Sequence, residues 1–276
     1  AALVGKGELS DMDSGEGYDR ASLQLMGHQE RLMQALIDAG VKLVVVYIEG
    51  RPLNRNLAAE KANALPTAWD TGGEGGMAIA DVLFGDYNPA GRIPVSIPRN
   101  VGQIPVYYSK HPSHDYIDSP AAPLYSFGYG KSYTTFAYSN LVCTALEAAA
   151  GEDVLARVSF TVTNTGKRDG EEVPQLYVRD VTSSVETPHM ALKNFDRIAL
   201  RAGESRTVTF DLRHDDLALY NLKMEHVVEP GEFVVMAGAS SEDIRQTTVL
   251  NVEDYHTRNA RLEAEKPEKP VSASTN

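Results

Sequence analysis

The chain has 276 residues, 42% of them hydrophobic and 23% charged, which is ordinary for a globular protein and long enough for two domains. Its formal net charge of −12 and pI near 5.0 exclude a general affinity for nucleic acids or anionic membranes, because their phosphates would repel it. The lone cysteine, Cys143, excludes an intrachain disulfide and leaves the redox compartment open.

Residues 1–98 alternate helix-like and strand-like segments, which is typical of an α/β layer with a parallel sheet. A helix is predicted over 29–39 and a strand over 41–48, whose unbroken apolar run indicates cover on both faces. A second helix is predicted after the glycine-rich stretch 72–76. Its inward face is expected to comprise Met77, Ala80, Leu83 and Phe84. We interpret 1–98 as the second half of an α/β sandwich domain.

The remainder of the chain divides into three further parts. Residues 99–136 are rich in tyrosine, proline, histidine and glycine, which indicates an ordered connector, since aromatic side chains usually pack against something. Residues 137–252 contain short β-like runs separated by turn residues, which predicts an all-β sandwich. Residues 253–276 have too few apolar groups to fold alone and are predicted to be a C-terminal tail.

Three stretches of sequence resemble glycoside hydrolase family 3. The stretch 69–94, which begins Trp-Asp-Thr-Gly-Gly-Glu-Gly-Gly-Met and ends Gly-Arg-Ile-Pro, is similar to the second α/β domain of that family. The stretch 124–136, Leu-Tyr-Ser-Phe-Gly-Tyr-Gly-Lys-Ser-Tyr-Thr-Thr-Phe, resembles the segment that leads into its fibronectin-III-like domain, and 163–178 resembles a strand pair of that domain. Together these matches follow the order of the family along nearly the whole chain.

The resemblance implies an α/β plus all-β fold and a role in a retaining, exo-acting β-glucosidase that hydrolyses terminal non-reducing β-D-glucosyl residues. In the family an N-terminal barrel supplies the nucleophilic aspartate and most sugar-binding groups. No such barrel is recognisable here, so we expect the C-terminal portion of a longer enzyme, inactive alone. Its expected partners are the β-glucoside or oligosaccharide substrate and the barrel portion, in the same chain or a separate one.

The resemblance also points to Glu16 as the general acid/base, because the family carries this glutamate on a loop of the second domain. Gly15 and Gly17 would let its carboxyl group approach a sugar closely. Nearby aspartates would favour its protonated form and Arg20 its ionised form. Glu8 is the second candidate. Composition alone would favour an ordinary solvated acid at position 16, and the resemblance reverses that preference.

Other chemistries find less support in the sequence. No cofactor and no metal are expected, because His111 and His114 have a ligand-like spacing but no third ligand is apparent. Four tyrosines, Tyr107, Tyr108, Tyr116 and Tyr125, could line a leaving-group subsite. For most of these tyrosines, packing between domains is the preferred interpretation. The alternative function is a noncatalytic carbohydrate-binding or docking module, and a nucleotide-dependent enzyme comes third. We expect a periplasmic or secreted protein.

Overall fold

The computed structural model describes residues 20–146 and 153–253, in which a helical part precedes an irregular connector and a β-sandwich. The helices are α1 (Gln29–Asp38), α2 (Asn56–Lys61), α3 (Gly75–Phe84) and α4 (His214–Leu217). The strands are β1 (Phe136–Ala145), β2 (Val154–Asn164), β3 (Gly170–Glu172), β4 (Gln175–Asp180), β5 (Ala191–Phe195), β6 (Ile198–Leu200), β7 (Ser205–Arg213), β8 (Leu219–Tyr220), β9 (His226–Val227), β10 (Gly231–Gly238) and β11 (Ile244–Val252). None of the helices in the described ranges has the length and apolar character that a membrane crossing requires. The order of these helices and strands gives an α/β part followed by an all-β part, as the sequence predicted.

The predicted first helix is present as α1, which ends where Gly40 adopts a left-handed backbone with φ of 70°. The predicted strand 41–48 forms only two isolated parallel bridges, Val44 to Ala64 and Tyr47 to Thr67. Among the described residues only one face of this segment is covered, since Tyr47 is buried while Val44 is 46% exposed. The physical reason is one-sided packing: Tyr47 joins a small core with Met33 of α1 and Ala58 of α2, and no described element covers the other face.

The second predicted helix is α3, and the described residues leave most of its expected inward face uncovered. Met77 is 65% exposed, Leu83 41% and Phe84 84%, and only Ala80 of that set is half-buried. An apolar helix of this kind needs cover on most of its surface. Among the described residues α3 is buried at its first residue, Gly75, and near its end the Tyr133 hydroxyl donates to the Val82 carbonyl at 2.7 Å.

The sandwich consists of a three-stranded sheet, β1-β2-β7, facing a four-stranded sheet, β11-β10-β4-β5. Strand β2 shows why this segment forms a sheet, because its inward residues alternate strictly with outward ones. Its inward side chains Ala156, Val158, Phe160 and Val162 are at most 1% exposed. They meet the opposite sheet at residues such as Leu176 of β4 and Val235 of β10 in one continuous core. Apolar burial between the two sheets therefore holds this part together.

A buried ion pair joins the end of the helical part to the sandwich. Arg92 donates to both oxygens of Glu172 at 3.1 Å, and their side chains are 9% and 2% exposed. Tyr138 of β1 donates its hydroxyl to the same carboxylate at 3.1 Å. Because a buried carboxylate is costly unless it is paired and hydrogen-bonded, these contacts fix how the two parts meet.

Aromatic packing orders the connector against the sandwich. Tyr108 stacks on Phe127 with ring centroids 4.3 Å apart and meets the ring of Tyr177 edge-on at 6.0 Å. The Tyr108 hydroxyl also accepts the Leu192 amide at 3.0 Å. Gly128 adopts φ of 80°, and a Cβ there would lie 2.1 Å from the Gln175 side chain. This close approach requires glycine.

Candidate functional site

Two extended segments of the helical part, 41–48 and 63–68, pair in parallel and end side by side, and we call the end formed by residues 48–49 and 68–69 the carboxyl edge. The Tyr47 amide donates to the Pro66 carbonyl at 3.0 Å, and the Ala68 amide donates to the Tyr47 carbonyl at 2.8 Å. Because the pairing is parallel, the residues that follow each segment, Glu49 and Trp69, emerge at the same edge. Ligands of open α/β sheets bind beyond the carboxyl ends of their strands. A ligand site is therefore expected at this edge.

A fully buried ion pair between Glu49 and Arg55 supports the carboxyl edge. The two side chains are 1% and 2% exposed, and the Arg55 guanidinium donates to the Glu49 carboxylate. Arg55 also donates to the Thr67 hydroxyl at 2.5 Å and lies over the Tyr47 ring at 4.7 Å. The second Glu49 oxygen accepts the Leu53 amide at 3.3 Å. The Arg55 guanidinium thus contacts Glu49, which follows the first segment, and also Tyr47 of the first segment and Thr67 of the second.

Burial keeps Tyr47, whose ring packs against Arg55, in its neutral form. Desolvation raises the pKa of Tyr47 to about 12, although the Arg55 charge opposes the rise. Tyr47 therefore remains a neutral donor at physiological pH, and its hydroxyl donates to the Asn54 carbonyl at 3.3 Å. Burial likewise raises the pKa of Tyr125, which stacks on Tyr129 with centroids 5.0 Å apart. Both phenols are therefore neutral at physiological pH, and their contacts within the described residues are packing and hydrogen-bond contacts.

Removing the buried carboxylate should destabilise the helical part strongly. We expect Glu49→Ala to lower the free energy of unfolding by about 3–5 kcal/mol, because Arg55 would remain buried without its partner. Urea unfolding followed by the fluorescence of Trp69, the single tryptophan of the chain, measures this locally.

The matched control for that experiment is Glu60→Ala on α2. Glu60 pairs with Lys61 at 2.6 Å, but the two side chains are 69% and 49% exposed. Loss of such a surface pair is expected to cost only about 0–1 kcal/mol. Equal losses for the two variants would show that the buried pair does not hold this edge.

Both glutamates predicted as acid/base candidates, Glu16 and Glu8, lie outside the described residues. The segment that follows Glu16 is described from Arg20 onward and runs along the carboxyl edge. The Leu23 carbonyl accepts the Asn54 amide at 2.6 Å, one residue before the buried Arg55. Arg20 folds back on the same segment and donates to the Gln24 carbonyl at 2.6 Å.

The other residues considered from the sequence are dispersed. Tyr107, Tyr108 and Tyr116 line a cavity of about 380 Å³ together with His111 and His189, between the connector and the sandwich. Tyr125 is not among its lining residues and lies instead near Arg55. His114 does not join His111 in a group of three ligating side chains within the described residues.

Two features near the glycine-rich stretch were also considered from the sequence. Trp69 is half-buried and adopts a positive φ of 54°, which is uncommon for a large side chain. Glu74 occupies the N-cap position of α3 without a side-chain capping hydrogen bond. Its carboxylate can therefore favour the helix only through the dipole at this terminus.

Sequence reasoning missed Glu49 and Arg55. The available signal was a glutamate directly after the apolar run 41–48, with an arginine six positions later. Charged residues at the end of a buried strand often face a site or a buried partner. Nothing in the sequence showed that these two side chains pair with each other.

Comparisons with known proteins match both parts of the chain. Residues 1–133 match the glycosyl hydrolase family 3 C-terminal domain, and residues 172–241 match a fibronectin type III-like domain. A periplasmic beta-glucosidase of Salmonella typhimurium is 42% identical over 245 residues, which cover 84% of this chain and 32% of the relative. A beta-xylosidase of Formosa agariphila is 44% identical, with 86% of this chain and 34% of the relative covered.

Solved structures give the same result. A beta-glucosidase from Listeria innocua in complex with glucose superposes with a TM-score of 0.80 at 36% identity, over 87% of this chain and 35% of that chain. A β-glucosidase from Erythrobacter marinus gives a TM-score of 0.80 at 40% identity, over 88% and 32%. The chain spans about a third of the length of the relatives that it matches.

Proposed function

Because this chain belongs to glycosyl hydrolase family 3, as its C-terminal domain followed by a fibronectin type III-like domain, we propose that it forms part of a retaining β-glucosidase. The enzyme would act from the non-reducing end and release terminal β-D-glucosyl residues. One observation carries this proposal. A single alignment of 245 residues with a relative named as a periplasmic beta-glucosidase covers both parts of this chain.

The proposed mechanism divides the two catalytic carboxyl groups between two portions of the enzyme. A retaining glycosidase needs them about 5–5.5 Å apart, one to attack the anomeric carbon and one to protonate the leaving oxygen. We assign the second role to Glu16, with Glu8 as the second candidate. The nucleophile would come from the N-terminal barrel portion of the enzyme.

The carboxyl edge supports the assignment of Glu16. Glu16 precedes Arg20 by four residues in the sequence. Arg20 begins the segment that the Asn54 amide anchors at that edge. The buried Glu49–Arg55 pair would then act as a positioning element, because it holds the loop against which this segment lies.

Uncovered apolar groups support the proposed barrel partner. The helical part leaves several large apolar side chains exposed, and they lie on α1, α3 and the first extended segment. They are Leu32, Leu36, Val44, Ile48, Met77 and Phe84. Apolar surface on this scale indicates an interface or a packing partner. We propose that N-terminal portions of the same enzyme cover it, in the same polypeptide or as a separate chain.

We further propose a periplasmic or secreted location, and the name of the Salmonella relative, which is periplasmic, supports it. The net charge of −12 agrees with a small neutral sugar as the ligand, because uncharged sugars are not repelled by an acidic protein.

A hybrid enzyme tests the proposed function. Its N-terminal portion is the part of the Salmonella relative that precedes the region matched here, and its C-terminal portion is this chain. We expect it to hydrolyse p-nitrophenyl β-D-glucoside, and proton NMR should detect β-glucose as the first product, as retention requires. If α-glucose appears first, the retaining mechanism is wrong. If a folded hybrid binds glucan but hydrolyses nothing, the chain is a noncatalytic carbohydrate-binding module.

A further inference from the structure

Two histidines and an aspartate converge on the surface of the sandwich, far along the chain from the proposed acid/base loop. One ligating atom from each of His214, Asp215 and His226 lies within 4.8 Å of the other two. The nearer oxygen of Asp215 lies 3.5 Å from Nδ1 of His214 and 3.9 Å from Nδ1 of His226. Within the described residues this is the only group of three such side chains.

Local structure holds the first two members of this group in place. His214 and Asp215 open the short helix α4, directly after strand β7. The Arg213 amide donates to the Asp216 carboxylate at 2.8 Å, and the His214 amide donates to the Asp153 carbonyl at 2.8 Å. These bonds fix the helix start and direct the two side chains from a rigid strand end.

The third member comes from the hairpin formed by β8 and β9. His226 pairs with Tyr220 across the two strands, and its ring also packs on that tyrosine at 4.7 Å. The turn is closed by Asn221, whose side-chain oxygen accepts the amides of Lys223 and Glu225 at 2.9 and 3.0 Å. The rings of His226 and His214 then meet edge-on, 5.5 Å apart.

We propose that His214, Asp215 and His226 form a binding site for a divalent transition-metal ion such as Zn²⁺. Zinc binds imidazole nitrogen and carboxylate oxygen at about 2.0–2.2 Å, so the ligand atoms of a tetrahedral site lie about 3.4 Å apart. The two distances from Asp215, 3.5 and 3.9 Å, are close to that spacing, and all three ligand atoms lie within 4.8 Å of one another. Two neutral imidazoles and one carboxylate suit Zn²⁺, with water in the fourth position.

The bound metal would join α4 to the hairpin. The side chains are accessible, since those of His214 and His226 are 41% and 36% exposed and that of Asp215 is 87% exposed. The ion can therefore enter and leave without unfolding. Because it would bind the folded sandwich and not the unfolded chain, it should stabilise this part by mass action.

A second histidine pair provides an internal control. The rings of His111 and His189 also meet edge-on with centroids 5.5 Å apart, at an interplanar angle of 67° against 71° for His214 and His226. They have no ligating third residue among the described residues. The His111/His189 pair thus lacks the carboxylate ligand, and Nε2 of His111 already lies 3.0 Å from the Thr187 carbonyl oxygen.

Isothermal titration of the untagged 276-residue chain with ZnCl₂ at pH 7.5 tests the site. We expect saturable binding that His214→Ala, His226→Ala and Asp215→Asn each weaken at least about tenfold, because each removes one of three ligands. The double variant His111→Ala/His189→Ala should bind as the parent does.

Histidine ring NMR signals provide an independent readout in the same chain. Zinc should shift the signals of His214 and His226 and leave those of His111 and His189 unchanged. The proposal is overturned if zinc does not bind at 100-fold molar excess over about 10 µM protein. It is also overturned if the His111/His189 variant loses as much affinity as the His214 variant, or if Asp215→Asn changes nothing.

Discussion

The isolated 276-residue chain is expected to hydrolyse p-nitrophenyl β-D-glucoside no faster than buffer does. The attacking carboxylate is assigned to a barrel portion that is not recognisable in this sequence, and a retaining mechanism does not proceed without it. Enzymes accelerate such reactions by about 10⁶–10¹⁷-fold, so the loss of this machinery removes nearly all activity. Release of p-nitrophenolate at 405 nm over a day measures the rate.

The control for this experiment is the hybrid enzyme at the same molar concentration. Its activity shows that the chain is competent when a barrel is present. A second control is the parent chain after it has passed through an additional size-exclusion step, because a trace of contaminating host glucosidase would be removed there. Turnover that stays with the purified chain would show that it contains a complete active site, and our division of the carboxyl groups would be wrong.

Replacing Glu16 by alanine in the hybrid enzyme is expected to slow cellobiose hydrolysis by about 10²–10⁴-fold. The departing sugar oxygen is a poor leaving group that needs a proton, and general acid catalysis contributes about this factor. p-Nitrophenyl glucoside should lose less in the first step, because its phenolate leaves without protonation. Its glycosyl-enzyme intermediate should then accumulate, since the same residue activates the incoming water.

Azide distinguishes a catalytic role of Glu16 from a structural one. This anion attacks the intermediate without base assistance, so we expect it to restore p-nitrophenyl glucoside turnover in Glu16→Ala and to produce glucosyl azide. The parent hybrid should not respond. A merely structural glutamate would give slow turnover of both substrates without azide rescue.

The matched variant for Glu16→Ala is Glu8→Ala, which lies in the same acidic segment. We expect it to retain activity close to that of the parent and to show no azide rescue. The reverse pattern, with rescue at position 8 and near-parent activity for Glu16→Ala, would transfer the acid/base role to Glu8.

Much of the fold could be predicted from the sequence, because local patterns carry it. The alternation in β2 and the helical spacing in α1 are properties of a few consecutive residues, and each element lies close to its predicted position. The strand 41–48 was predicted less well. Its unbroken apolar run indicated cover on two faces, but a run cannot say which neighbours are present to cover it.

The family was also readable from the sequence, because its motifs are contiguous stretches such as 69–94 and 124–136. The same stretches did not give the orientation of α3. An apolar helix can turn any face toward its neighbours, and which of its side chains are buried depends on where those neighbours pack. Glu16 remains a prediction from the family resemblance, since it lies outside the described residues.

The sequence alone thus determined what depends on neighbours along the chain: the elements, their order and the family. Only the tertiary structure decided which distant polar groups meet. Arg92 finds Glu172 across 80 positions, and His226 joins His214 and Asp215 through a separate hairpin. The physical reason is that ion pairs and metal ligands depend on distances of a few ångströms in space, which the folded chain sets by packing β-sheets and loops together.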